Sequence, residues 1–222
     1  MRIISGELRG RRLAAPPGQG TRPMLDRVRE ACYSTLGPGI EGAYALDLFA
    51  GSGSLGFEAL SRGAAFARFV EQDVRVARLL VQNAEELGVE ERSDIVRGSA
   101  IEPACWLPPV GEPQRWADVI FFDPPYPWLR DERRASLFEA ASALARTVLR
   151  PGGLLVFHTP KRGVEARDFP EDLEPDRRVY GSSALWYLRG PEEDSPEEAP
   201  ETSSDGADST SSASGFPKEE EE

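Results

Sequence analysis

The chain has little sulfur, little lysine and no long apolar run. Its two cysteines, Cys32 and Cys105, are too few for a disulfide framework or a zinc site, and a reducing compartment suits them. No stretch approaches the ~18 consecutive apolar residues of a membrane-spanning helix. Residues 1–10 carry Arg2, Glu7 and Arg9 without an apolar segment, so a cytoplasmic location is expected and a secretory signal is not. Lysine occurs only at Lys161 and Lys218. So strong a bias toward arginine fits a GC-rich genome as much as a function. There are no internal repeats.

Charge is unevenly spread. The 222 residues carry a formal −12, but residues 190–222 hold twelve acids against Lys218, and that segment alone nets −11. The other 189 residues net −1. The isoelectric point near 4.7 therefore describes the tail, and it does not exclude a nucleic-acid partner. The tail's one large apolar residue is Phe216, among Ser, Glu, Asp, Pro and Gly. Too little surface can be buried there to offset the ordering entropy, so 190–222 is expected to be a disordered acidic tail. The remainder can bury roughly 70% of its unfolded surface, enough for a core. Residues 1–36 hold seven arginines against Glu7, Asp26 and Glu30, a local +4.

Residues 2–15 read as two short strands around Gly6–Gly10, a hairpin. Asp26 can cap a helix that ends at Gly37-Pro38. From residue 43 apolar strands and helices alternate. Strands are expected at 43–49, 66–71, 94–97, 116–122 and 154–158, with a closing pair at 177–180 and 184–188. Asp73 caps a helix carrying Val74, Ala77, Leu80, Val81, Ala84 and Leu87, stopped by Gly88. Asp131 caps another, with Leu137, Ala141, Leu144 and Val148 on one face, stopped by Pro151-Gly152-Gly153. The pattern implies an α/β fold with a mostly parallel, doubly wound seven-stranded sheet, and the final hairpin puts one antiparallel strand into it.

Gly51-Ser52-Gly53-Ser54-Leu55-Gly56 matches G-x-G-x-x-G, and Glu71 stands twenty residues beyond Gly51 at the end of the next strand. Glycines let a backbone approach a nucleoside cofactor, and the acid bonds a ribose. The bland alternative is a tight turn with an exposed Glu71. Asp47 separates cofactor classes. A carboxylate near the strand's carboxyl end repels a pyrophosphate, and so NAD, but suits the cationic S-adenosylmethionine. A buried acid bonded to loop amides is compatible with that role.

Asp123-Pro124-Pro125-Tyr126 follows the apolar strand Val119–Phe122, and ligands in open α/β sheets bind at the carboxyl ends of strands. Two prolines fix the backbone and remove two donors, leaving rigid carbonyl acceptors. An aspartate beside such a carbonyl can hold an exocyclic amine, and Tyr126 can stack on a flat ring. A plain proline turn is the competing reading.

These motifs resemble those of S-adenosylmethionine-dependent amino-group methyltransferases. The stretch Met1-Arg2-Ile3-Ile4-Ser5-Gly6, Leu8-Arg9-Gly10-Arg11-Arg12-Leu13, Thr21-Arg22-Pro23 and Asp26-Arg27-Val28-Arg29-Glu30 resembles the RsmD family, as does Leu60-Ser61-Arg62-Gly63. The resemblance covers residues 1–189. It implies a Rossmann-like class I methyltransferase domain at 41–189, with a hairpin and helix extension at 1–40 serving as RNA-binding and cofactor lid. It implies methyl transfer to the N2 of a guanine in 16S ribosomal RNA within a small-subunit assembly particle, by a monomer with no metal and no membrane. Asp123, Pro124, Pro125 and Tyr126 would be catalytic. Asp47, Phe49, Ala50, Gly51, Ser52, Gly53, Glu71, Gln72, Ser99, Ala100, Asp123, Thr21 and Arg22 would bind cofactor. Arg9, Arg11, Arg12, Arg22 and Arg29 would bind RNA. The chain departs from the family at Gly98-Ser99-Ala100, where an acid near the adenine is usual. It departs again at His158-Thr159-Pro160-Lys161, which replaces an acidic segment. His158, the only histidine, reads as structural. Adenine-N6 methylation, protein-glutamine methylation, an NAD-dependent dehydrogenase and a catalytically inactive RNA-binding module are the other readings.

Overall fold

A computed structural model describes residues 1–15 and 26–190 of the chain. The expectations for Thr21, Arg22 and the tail beyond residue 190 lie outside the described residues.

Seven strands form one sheet: β1 (Tyr44–Leu48), β2 (Phe66–Glu71), β3 (Ser93–Arg97), β4 (Ala117–Phe122), β5 (Leu149–Pro160), β6 (Asp176–Tyr180) and β7 (Ser183–Arg189). Their spatial order is β3-β2-β1-β4-β5-β7-β6. Only β7 runs against its neighbours, because Gly181-Ser182 returns the chain from β6 as a hairpin. Among the described residues four α-helices flank the sheet: α1 (Asp26–Leu36), α2 (Ser54–Ser61), α3 (Val74–Leu87) and α4 (Arg134–Thr147).

Because side chains alternate along a strand, successive residues feed two cores. Ala45, Ala67, Phe69, Val119, Phe121 and Val156 pack with Val28, Tyr33, Phe57, Leu60 and Leu80 from α1, α2 and α3. Leu46, Leu48, Val70, Ile120, Phe122 and Phe157 pack with Leu137, Ala141 and Leu144 of α4, and with Trp106, Trp116 and Trp186. The cysteines are buried, Cys32 completely, and burial pushes its thiol up to about 12.

The structure alters four local expectations. Residues 1–13 fold back antiparallel, but with a single bridge, Arg2 to Arg12, rather than two strands. Val74 and Val81 of α3 face solvent, and Val76 and Asn83 take the buried places beside Ala77, Leu80, Ala84 and Leu87. The α4 helix starts at Arg134, three residues past Asp131, whose carboxylate instead accepts from the Arg133 amide. Pro151-Gly152-Gly153 does not stop that helix. It lies inside β5, where Ala117 pairs with Leu149 and Val119 with Leu154, so the extra residues bulge out of register.

The N-terminal segment is clamped to α2. Glu58 is fully buried, and its carboxylate accepts from the Ile4 amide (2.7 Å), the Ser5 amide (3.0 Å) and Arg62 Nε (2.9 Å). The Ser61 hydroxyl accepts from the Leu8 amide and donates to the Ser5 carbonyl. Ile3 and Leu13 complete the contact by entering the core.

Candidate active site

Register gathers the site. Leu48 pairs with Val70 on one side and Phe122 on the other, and Phe122 pairs with Phe157. The next residues, Phe49, Glu71, Asp123 and His158, therefore stand at one level along the carboxyl edge of four parallel strands. Period-two alternation places Asp47, Glu71, Asp123 and His158 on the α2–α3 face.

The loop after β1 is tightly specified. Phe49 takes φ 60° and Gly51 φ 54°, the left-handed region. Phe49 can hold that conformation because its ring packs edge-on against Phe122 and Trp128, with centroids 5.3 and 5.6 Å away. A Cβ at Gly51 would meet nothing nearer than the Phe49 carbonyl at 3.9 Å, so the space before this turn is open. Gly53 is a packing glycine, where a Cβ would lie 2.5 Å from the Phe57 ring. The Ser52 carbonyl accepts from Asn83, and Ala50 and Ser52 are buried.

Three carboxylates surround this turn. Asp47 is 1% exposed, and its Oδ2 accepts from the Gly56 amide at 2.8 Å. Burial pushes the Asp47 carboxyl well above the usual carboxylate range, the Gly56 amide pulls it back, and the negative Asp123 and Glu71 raise it further. Glu71 accepts from the Gly51 amide (3.0 Å) and the Asp73 amide (2.9 Å), bracing the turn against the start of α3. Among the described residues, none of the three pairs with an arginine or lysine, so the local field suits a cation. Gln72 is exposed beside Glu71. Ser99 and the buried Ala100 follow β3, where the Ala100 carbonyl accepts from the Trp106 indole. Among the described residues the site thus has an open glycine turn, a carboxylate that can meet a ribose and no arginine or lysine paired with its three acids, and this donor set fits a nucleoside cofactor that carries positive charge.

Asp123 leaves β4 beside this turn. Pro125's carbonyl is taken by the Trp128 amide, whereas no donor reaches the Pro124 carbonyl among the described residues. His158, 3% exposed, brings Nδ1 within 2.7 Å of Asp123 Oδ1. Its Nε2 lies 3.1 Å from the Tyr126 hydroxyl, which in turn lies 3.1 Å from Ser183 Oγ. Burial raises the Tyr126 phenol, the Ser183 hydrogen bond lowers it, and the Asp123 charge raises it again. Tyr126 is therefore tethered by its hydroxyl. The sequence reads His158 as structural without a link to Asp123, and the structure supplies that link. The signal for it was available: His158 is the residue after Phe157 on the strand beside Asp123.

The arginines divide. Arg9 and Arg12 are exposed, and Arg11 is exposed with its guanidinium on the Glu86 carbonyl. Arg29 does not belong with them. It is fully buried, and its guanidinium reaches the Arg2 carbonyl (2.7 Å), Asp26 (3.0 Å), Met1 Sδ (3.1 Å) and Glu58 (3.8 Å). That guanidinium holds the N-terminal segment and is not presented to a ligand. Among the described residues no helix is long and apolar enough to cross a membrane, and no acid, histidine or cysteine cluster could hold a metal.

The sheet order, the single antiparallel strand and this edge of acids define a class I methyltransferase fold. The chain belongs to the family described as Conserved hypothetical protein 95, the RsmD family, whose model matches residues 1–189. Among curated relatives, Ribosomal RNA small subunit methyltransferase D of Haemophilus influenzae is 38% identical over 162 residues, which is 72% of this chain and 79% of that protein. The protein of the same name from Escherichia coli K12 is 42% identical over 126 residues, 57% of this chain, and the match spans 60% of that relative's length. Among solved structures, the yhhF protein of Escherichia coli superposes with a TM-score of 0.68 at 32% identity, covering 86% of this chain and 99% of that one. An RNA methyltransferase of Salinibacter ruber in complex with S-adenosyl-L-homocysteine shares the fold, with a TM-score of 0.51 at 19% identity, covering 80% of this chain and 98% of that one.

Proposed function

We propose that the chain transfers a methyl group from S-adenosylmethionine to the exocyclic N2 of a guanine in 16S ribosomal RNA, acting as a monomer on a small-subunit assembly particle. The relatives' names support the ribosomal RNA substrate. The observation that carries the chemistry is the trio Asp47, Glu71 and Asp123, unpaired with arginine or lysine among the described residues, around an open glycine turn, with Asp123 leading into two prolines.

Bound at the turn, the cofactor would supply an electrophilic methyl group on a cationic sulfur. Asp47, Glu71 and the Gly51–Gly53 backbone would hold it, Glu71 through the ribose. The guanine amine is a poor nucleophile, since its lone pair is delocalised into the ring. Asp123 and the Pro124 carbonyl accept its hydrogens and favour a tetrahedral nitrogen as positive charge develops there. The fixed loops would hold the amine nitrogen opposite the leaving sulfur, across the methyl carbon. The nitrogen would gain one bond to the methyl carbon as that carbon's bond to sulfur breaks, the electron pair would stay on sulfur as a neutral thioether, and the nitrogen would give up one proton to solvent. Exposed Arg9, Arg11 and Arg12 would contact phosphates. An open depression of about 540 Å³ lined by Met1, Arg2, Gly10, Arg12 and Asp26 adjoins them.

The test is methylation of assembly particles from a strain lacking this gene, with the modified nucleotide mapped. One N2-methylguanine in 16S ribosomal RNA is expected. Methylation at adenine N6, or none, overturns the substrate. Two binding measurements accompany it. Glu71→Ala should weaken S-adenosylhomocysteine binding by about 1.5–3 kcal/mol, the worth of a charge-assisted bond. Equal calorimetric affinities for variant and wild type would remove Glu71 from the site. Replacing Arg9, Arg11 and Arg12 together with alanine should weaken RNA binding and flatten its salt dependence, leaving cofactor affinity unchanged. An unaltered salt slope would place the RNA elsewhere.

A further inference from the structure

The geometry points to His158 as a positioning residue for Asp123: its Nδ1–H fixes one carboxylate oxygen and leaves the other for the substrate amine. This rests on the methyl-transfer reading above and deepens it. Asp123 stands on the strand edge with its side chain 27% exposed, and a carboxylate at such a place can rotate about its last torsion. His158 Nδ1 at 2.7 Å is its one hydrogen-bond partner among the described residues. With Oδ1 so held, Oδ2 is the oxygen available to accept an amine hydrogen.

The tautomer follows from the partners. A carboxylate only accepts, so the Nδ1 position carries the hydrogen. In the imidazole form Nε2 is then the acceptor, and the Tyr126 hydroxyl hydrogen goes to it at 3.1 Å in preference to the Thr159 carbonyl at 3.5 Å. Tyr126, having given up its hydrogen, accepts from Ser183 Oγ at 3.1 Å. The chain of bonds therefore runs in one direction, from Ser183 at the start of β7, through Tyr126 and His158, to Asp123. The backbone contributes as well: Phe122 pairs with Phe157, so Asp123 and His158 are the next neighbours on adjacent parallel strands. The ring is 3% exposed and pinned at both nitrogens, and it cannot swing away without breaking both bonds. A carboxylate held from behind by a buried ring keeps its acceptor aimed where charge develops, without reorganising during the reaction.

The chain has one histidine, which makes a direct test simple. Long-range proton–nitrogen spectra of the full chain, labelled in histidine, report the tautomer without assignment. A protonated Nδ1 and bare Nε2 are expected, with that state lost in Asp123→Ala. A wild-type ring protonated at Nε2 alone overturns the pairing. The kinetic arm compares His158→Asn with His158→Gln. Asparagine can place an amide N–H where Nδ1 stands, whereas glutamine places it one atom further, toward Tyr126. Single-turnover methyl transfer should fall about 10²-fold in the glutamine variant, the scale of a misplaced reacting group, and asparagine should recover most of it. Affinity for S-adenosylhomocysteine should be unchanged in both. Equal losses in the two variants, or a wild-type rate for glutamine, overturn the proposal. Thermal melts of the variants separate misfolding from chemistry, and the wild-type spectrum decides the pairing even if neither variant folds. Should the wild type methylate no ribosomal RNA, the substrate reading falls, while the tautomer still decides the His158–Asp123 contact.

Discussion

Asp123→Ala should lower single-turnover methyl transfer to assembled small-subunit particles by about 10²–10³-fold, the usual cost of deleting one well-placed polar group where charge develops. The carboxylate's bond to the amine strengthens as the nitrogen becomes cationic, so its loss raises the transition state more than the ground state. Affinity for S-adenosylhomocysteine should stay near wild type, because Asp123 is offered to the base. Asp123→Asn is the finer probe. It retains an acceptor oxygen and loses the charge, so it should keep more activity than alanine. It also adds N–H hydrogens that can face His158 Nδ1 at the 2.7 Å position, so part of the acid's orientation should be lost too. A wild-type rate in Asp123→Ala would exclude this residue from the reaction and move the site elsewhere.

The largest expected loss of stability is at Glu58→Ala. Its carboxylate is wholly buried and serves two amides of the N-terminal segment and the Arg62 guanidinium, with buried Arg29 3.8 Å away. Alanine leaves the buried Arg29 with only the half-exposed Asp26 as counter-charge and strands the Ile4 and Ser5 amides. Breaking a buried pair from one side costs about 3–5 kcal/mol. For a domain of this size that is a fall of roughly 6–20 °C in Tm. Differential scanning calorimetry measures it directly, and a melt within about 2 °C of wild type would show that Ile3, Leu13, Ser61 and Arg29 hold the segment without help from Glu58. Glu58→Gln keeps one acceptor and the side-chain shape, so its loss should be smaller.

The fold was legible because long-period and short-period signals agreed. Apolar strands of five or six residues alternated with a helix such as α3, with its Asp73 cap and terminal Gly88. Legibility failed where a tertiary contact decided the outcome. Arg29 lies within a cluster of arginines expected to bind RNA, and only the fold reveals that Glu58, 29 positions later, reaches it. Pro151-Gly152-Gly153 has the composition of a helix stop, yet the neighbouring strand β4 accommodates it as a bulge. His158 reads as structural in the sequence, because Asp123 lies 35 residues away and only the register of two parallel strands makes the two adjacent.

The α2 helix has the proportions of a ruler. Its eight residues, Ser54–Ser61, span about 12 Å. At one end lies the glycine turn, and toward the other Glu58 and Ser61 grip the arginine-bearing segment. Inserting or deleting one residue between Gly56 and Glu58 would turn that carboxylate by about 100° around the helix axis and shift it by about 1.5 Å. The separation between the glycine turn and the clamped N-terminal segment is thus counted in residues along a single short helix, so a length change there would release one of them from its grip.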